Sequence, residues 1–186
     1  VEDFVERYAP DGNPGNALRT LIRVPALADR VFPFIGYLAR DSTLSPRHST
    51  MLMLRTAWLT QSASLWATHA SRAGESGLSA AEVRRVAEGP ADGWSAFEAV
   101  LLALADELFR NASITDQTWD ALAEQYDLYN MVDAVVTVTE TTSNAILFNS
   151  LGIQLQIRCR SIVTAQQINH AARISHHQFI RLHDCM

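Results

Sequence analysis

From Leu44 to Leu78 the chain reads LSPRHSTMLMLRTAWLTQSASLWATHASRAGESGL, a long apolar pattern of helical period that stops at Gly77-Leu78-Ser79. Ser45 suits an N-cap, and Pro46 suits the first helical position, where its missing N–H forgoes no bond. Residues Thr60 to Ser64 are small and polar with poor helix propensity. A break is expected there, with Ser62 or Ser64 capping a second helix that carries Trp66 and His69.

Helix punctuation continues on both sides of this segment. Two helices flanking Pro25 are the simplest reading of the N-terminal part, the second apolar at Leu27, Val31, Phe34 and Leu38. Ser79-Ala80-Ala81-Glu82 and Ser95-Ala96-Phe97-Glu98 each match the capping box, in which a hydroxyl and a carboxylate satisfy each other's exposed backbone donors. Gly89 to Gly93 is a loop, and Ala96 to Arg110 is apolar at Val100, Leu101, Leu104 and Leu108. Thr115 suits the cap of a helix with Trp119, Leu122 and Tyr126 facing inward. Asp127 then opens a helix over Leu128 to Leu151 that Gly152 closes. The β-branched run Val135 to Thr139 suits a strand in isolation, but a lone strand has no partner in this chain, so it is read as helix. The expected fold is all-α, with about seven to nine helices.

Composition narrows the function classes. The chain has 186 residues, enough for one domain with its own core. No apolar run approaches the roughly 20 residues that span a bilayer, so no membrane association is expected. Val1 to Tyr8 lacks the basic start and apolar stretch of a signal peptide, and a cytoplasmic location is the default expectation. All 15 basic residues are Arg. Without Lys there is no Schiff-base nucleophile, pyridoxal-phosphate anchor or phosphate-loop lysine, and no cofactor is expected. A net charge of −5 argues against nucleic acid as a partner. Residues 155–186 differ from the rest, with four Arg and one Asp. Cys159 and Cys185 both lie there, outside any redox motif. His170, His176, His177 and His183 match no familiar zinc spacing, and no metal site is expected.

The central segment resembles that of the carboxymuconolactone decarboxylase family, within the alkylhydroperoxidase D-like superfamily. The family pattern reads close to LSPR-x-REL-x-x-LR-x-A-x-L-T-G-S-x-YEW-x-x-H, and Pro46, Arg47, Leu54, Arg55, Leu59, Trp66 and His69 match it as they stand. Ala105-Asp106-Glu107-Leu108 is similar to the family's A-x-DEL. The departures fall where family chemistry is done. Thr50 sits where a Glu is expected, Leu65 replaces the Glu before the Trp, and Ser62 and Leu65 occupy the places of the redox Cys-x-x-Cys. The resemblance covers roughly residues 14–155. It implies an alkylhydroperoxidase D-like helical domain over residues 1–155, a C-terminal extension over 156–186, and a homo-oligomer assembled through helices.

His69 is the leading catalytic candidate, because imidazole exchanges protons near neutrality. The family resemblance implies a cavity histidine engaged in proton transfer; the plain alternative is a core histidine. In an unbroken helix Met51, Arg55, Trp58, Ser62, Leu65 and His69 would share one face, a geometry the break near Ser62 spoils. Arg55 suits a bidentate grip on a substrate carboxylate, set against a structural ion pair with Asp106 or Glu107. Arg47 is read as a surface or subunit contact. Trp58 and Trp66 suit a pocket wall or core, and Ser62 a hydroxyl donor. Glu140, Thr141 and Asn144 interrupt an apolar helix. Glu140 is therefore a candidate carboxylate in place of those missing at 50 and 65, with Asn144 beside it, against the alternative of a solvated face.

These residues suggest a cofactor-free acid/base enzyme acting on a small organic acid or lactone-like compound, by decarboxylation or a related lyase, isomerase or cyclase step. His69 and Glu140 would be catalytic, with Arg55, Trp58, Ser62, Trp66 and Asn144 binding substrate. The rival is a non-catalytic binding or scaffold protein of the same fold. Peroxidase chemistry ranks third, because thiol-based reduction has no thiolate at the motif.

Overall fold

The computed structural model describes residues 16–153. Its helices are α1 (Asn16–Leu21), α2 (Pro25–Arg40), α3 (Pro46–Leu59), α4 (Ala63–Arg72), a 3-10 turn (Ala73–Ser76), α5 (Ala80–Glu88), α6 (Ala96–Asn111), α7 (Asp116–Ala123) and α8 (Leu128–Leu151). The all-α expectation holds, and no strand occurs among the described residues. None of the described helices is long and apolar enough to cross a membrane. The extension over 156–186, with both cysteines and the four tail histidines, lies outside the described residues, as does the loop Asp11 to Gly15.

Local chemistry sets the helix boundaries. Ser45 accepts a hydrogen bond from the His48 N–H, with Pro46 in the first turn. Ser79 with Glu82 and Ser95 with Glu98 form both capping boxes. Thr115 caps α7, and Asp127 with Asn130 forms a third reciprocal cap on α8. Gly152, at φ 64°, ends α8, and the Ile153 N–H returns to the Phe148 carbonyl. The β-branched run is helical because packing overrides propensity: Thr137 and Val138 are buried against the core.

The break between α3 and α4 is a helix-ending turn in which the Ser62 N–H bonds to the Ala57 carbonyl. Gln61 occupies its left-handed position at φ 53°. A glycine adopts that conformation without strain, and the family pattern has one there. Ser62 also occupies the N-cap position of α4, yet its hydroxyl makes no cap bond. That part of the capping expectation is corrected, because the side chain is turned into the interior, where it is fully buried.

α3 is the central helix, with α4, α5, α6 and α8 packed on it. Leu44 and Leu52 meet Leu101 and Leu104 of α6, Leu122 of α7 and Met131, Ala134 and Val138 of α8 in one core cluster. Asp133 fixes the start of α8 to the α2–α3 loop. Its buried carboxylate accepts hydrogen bonds from the Tyr37 hydroxyl (2.9 Å), the Ser42 hydroxyl (3.1 Å), and the Thr43 N–H (2.6 Å) and hydroxyl (2.8 Å). At the other end Asn149 Nδ2 donates to the Thr60 carbonyl at 3.1 Å, so α3 and α8 run in the same direction. One inward-facing expectation fails: Trp119 on α7 is 43% exposed, and of the apolar positions on α2 Leu27 and Phe34 are exposed too. An apolar stripe shows that a face can be buried without showing which neighbour reaches it.

Candidate functional site

The two arginines of the central motif are both fully engaged in holding helices together. Arg47 donates from Nε to Glu98 (2.7 Å), from Nη2 to Glu82 (2.5 Å) and from Nη1 to the Gly77 carbonyl (2.8 Å). One guanidinium, part-exposed, thereby joins the capping-box carboxylates of α5 and α6. The hydrogen bonds from Arg47 and Ser79 hold the Glu82 carboxyl down at about 2. Arg55, two turns along α3, forms a buried fork on Asp106 with Nε at 2.6 Å and Nη2 at 2.9 Å. Its remaining Nη1 donates to the carbonyls of Val86 (3.2 Å) and Ala87 (2.7 Å) at the end of α5. Gly89 permits this approach, since a Cβ there would lie 2.7 Å from Nη2. The fork foreseen for a substrate carboxylate is occupied by Asp106, which favours the ion pair weighed against it.

The other candidates are differently placed. Trp58 on α3 and Trp66 on α4 meet at tilted rings 5.5 Å apart. With the Thr50 hydroxyl donating to Ser76 at 2.8 Å, this contact shows that α4 runs antiparallel to α3. His69 lies on the inner face of α4 with Leu65, Trp66 and Ala73, and the helix register sets it level with Arg55 to Ala57 of α3. No hydrogen bond reaches its imidazole from any described residue. The ring keeps some accessible surface, but it is packed closely enough that desolvation, aided by the Arg72 charge, lowers its pKa from 6.5 to about 4. It is a neutral imidazole at physiological pH.

Glu140 and Asn144 are paired on α8, the Asn144 amide donating to Glu140 at 3.2 Å. Burial raises the Glu140 pKa, and the Asn144 bond offsets part of that rise. The parallel register of α3 and α8 puts Asn144 level with His69 and Glu140 four residues, about 6 Å, lower along the axis. Among the described residues no hydrogen bond or ion pair joins Glu140 to His69, and α4 and α8 each pack on α3.

Among the described residues three buried hydroxyls have no hydrogen-bond partner: Thr56 on α3, Ser62 at the break and Thr137 on α8. Ser62 was foreseen as a donor, whereas Thr56 and Thr137 were not. Their signal was a hydroxyl at an interior position of an apolar helical stripe, easily mistaken for a threonine bonded to its own helix. His48, also unforeseen, is a satisfied structural histidine. Its Nδ1 lies 2.7 Å from the Tyr126 hydroxyl, with the Phe97 ring 5.5 Å away.

No family profile and no curated protein matches the chain. Its structure is similar to the crystal structure of a protein of unknown function from Agrobacterium tumefaciens, which has been suggested to be an antioxidant-defence protein, AhpD. The two are 16% identical, with a TM-score of 0.68 over 74% of this chain and 96% of that one. At that identity the likeness carries the fold and leaves the chemistry open. With its central α3 and the helices packed around it, the chain has the all-helical fold of that AhpD-like protein.

Proposed function

We propose that the protein is a cofactor-independent enzyme that moves a proton on a small organic acid or lactone-like compound, in a lyase or isomerase step. The observation that carries this reading is His69. It is a neutral imidazole on the inner face of α4, free of any hydrogen bond from the described residues and flanked by the Trp58–Trp66 pair. A histidine serving the core is normally bonded, as His48 is to Tyr126. A free imidazole nitrogen is available to take a proton from a carbon acid and return it elsewhere. Asn144, level with His69, would orient substrate, and Glu140, whose pKa burial raises, would exchange the second proton. Ser62 offers a hydroxyl for a carbonyl or developing enolate oxygen.

The antioxidant role suggested for the Agrobacterium protein is a weaker reading for this chain, because Ser62 and Leu65 hold no thiol. Self-association belongs to the proposal as well. Leu128, Tyr129, Val132 and Ile146 of α8 are exposed, and the outer face of that helix carries no charge. A monomer in sedimentation at working concentration would remove this part.

The enzymatic reading is tested by following a panel of aromatic and lactone compounds by mass spectrometry, with wild type and His69→Ala. Turnover should fall by roughly 10²–10⁴ in a variant that keeps its helical circular dichroism. Binding without turnover, unchanged by the substitution, would instead establish a non-catalytic binding protein.

A further inference from the structure

The start of α8 and the second half of α2 share an exposed apolar surface that the proposed chemistry does not use. On α2, Leu27, Arg30, Phe34 and Tyr37 are spaced by three, four and three residues, so they lie on one face, and all four are exposed. α2 stands apart from the helices packed closely on α3. The Tyr37 hydroxyl ties it to α8, donating to Asp133 at 2.9 Å. Tyr129 comes four residues before Asp133, on the same side of α8, with Leu128 and Val132 next to it in the helix. Around that bond Phe34 (40% exposed), Tyr37 (40%), Leu128 (67%), Tyr129 (73%) and Val132 (50%) form one patch, rich in the aromatic side chains that anchor protein interfaces.

The exposed area of these side chains is on the order of 500 Å², and with a polar rim it approaches the roughly 800 Å² per partner that a stable complex covers. Charge indicates the partner. The chain carries −5 overall, so two copies repel where acidic surface meets acidic surface and approach best through an uncharged patch. The borders of this patch have opposite signs. On α2, the exposed Arg30 makes a hydrogen bond only to the Ala26 carbonyl of its own helix among the described residues, at 2.6 Å, and Asp29 is about 100° away round the helix. Ahead of Leu128, Glu124 and the capping residue Asp127 are exposed. A surface with a basic border on one helix and an acidic border on the other is complementary to itself, because a two-fold axis through it lays each border on its opposite. Resting on the self-association reading above, we infer that this patch is the interface of an isologous pair, with α2 of one copy across the start of α8 of the second and Arg30 facing Glu124 and Asp127. The far end of α8, with Ile146, then lies outside the contact.

The test is sedimentation equilibrium of the full chain, as wild type, Tyr129→Arg, Arg30→Glu and Ile146→Arg, at low and at high salt. All three substituted side chains are exposed, so the variants should keep the wild-type circular dichroism. Tyr129→Arg should weaken the pair at least roughly 10-fold, and Ile146→Arg should leave it unchanged. Salt should weaken the wild-type pair by screening Arg30 from its acidic partners. In Arg30→Glu the sign should reverse, with a weaker pair at low salt that added salt strengthens, because like charges then face each other. The two levels of the argument fail separately. A pair that survives Tyr129→Arg, or that Ile146→Arg dissociates, would leave self-association standing and overturn this interface. A three-membered assembly would overturn it too, since a patch paired across a two-fold closes on two copies. A wild type that stays monomeric would remove self-association and the inference together, and would leave the patch to a partner other than this chain.

Discussion

The two sides of α3 treat polarity in opposite ways. Toward α5 and α6 it presents Arg47 and Arg55, eight residues apart, and their ion pairs reach Glu98 and Asp106, also eight apart. Each nitrogen of the two guanidinium groups donates to a protein acceptor, two of these being carbonyls at helix ends that would otherwise be orphans. Toward α4 and α8 lie an imidazole with no bond and three hydroxyls with no partner. The contrast separates two meanings of a buried polar group. A paired network specifies how helices meet, whereas unsatisfied groups mark places where something else can complete them.

The largest effect should come from breaking the deeper arginine pair. Arg55→Met leaves the Asp106 carboxylate buried and facing only Arg110, which reaches it at 3.2 Å from a side chain 64% exposed. The expected loss is about 3–5 kcal/mol in urea denaturation. The double variant Arg55→Met with Asp106→Leu should recover most of it, because what destabilises is the uncompensated charge. A double variant as unstable as the single one would show that the hydrogen bonds to Val86 and Ala87, and not the ion pair, carry the contact.

Arg47→Met is next, at about 2 kcal/mol, since its partners are part-exposed and can find water. It has a pH signature. The Glu82 pKa lies at about 2 when folded and near 4.5 when free, so its contribution is present above 4.5 and lost as pH falls toward 2. Most of that acid sensitivity should vanish in Arg47→Met.

His69 acts in a different window with its own sign. Its folded pKa, about 4, is below the free value of 6.5, so between these values the unfolded chain takes up a proton that the folded chain refuses. Stability should therefore decline as pH falls from 6.5 to 4, by about 1–3 kcal/mol, and His69→Gln should flatten the decline. An unaltered profile in the variant would mean that the imidazole is hydrated in the folded protein.

Helix ends were legible in the sequence because capping is chemistry between residues three apart. Ser79 with Glu82, Ser95 with Glu98, Thr115, Asp127 and Gly152 all stand where the pattern put them. The Arg55–Asp106 pair was legible only as one of two choices, since spacing within a helix says nothing of what faces it from another. Trp119 was misread for the same reason. The relation between His69 and Glu140 was out of reach altogether. It depends on one helix running antiparallel and another parallel to α3, and each register is set by distant contacts, Thr50 with Ser76 and Asn149 with Thr60.

The smallest predicted effect is the one that best separates the two sides of α3. Thr137 is fully buried and its hydroxyl has no partner, so in a purely structural role Thr137→Val, which keeps the shape, should be neutral or stabilising by up to about 1 kcal/mol. The same exchange at Thr118, whose hydroxyl donates to Glu107 at 2.6 Å, should destabilise by about that amount, since the carboxylate then keeps only its bonds from Thr115. If the unpartnered hydroxyls serve the substrate, Thr137→Val will weaken turnover while leaving the melting temperature equal or higher. Loss of stability without loss of turnover would place Thr137 with the satisfied side of α3 and confine the site to the Ser62 and His69 end.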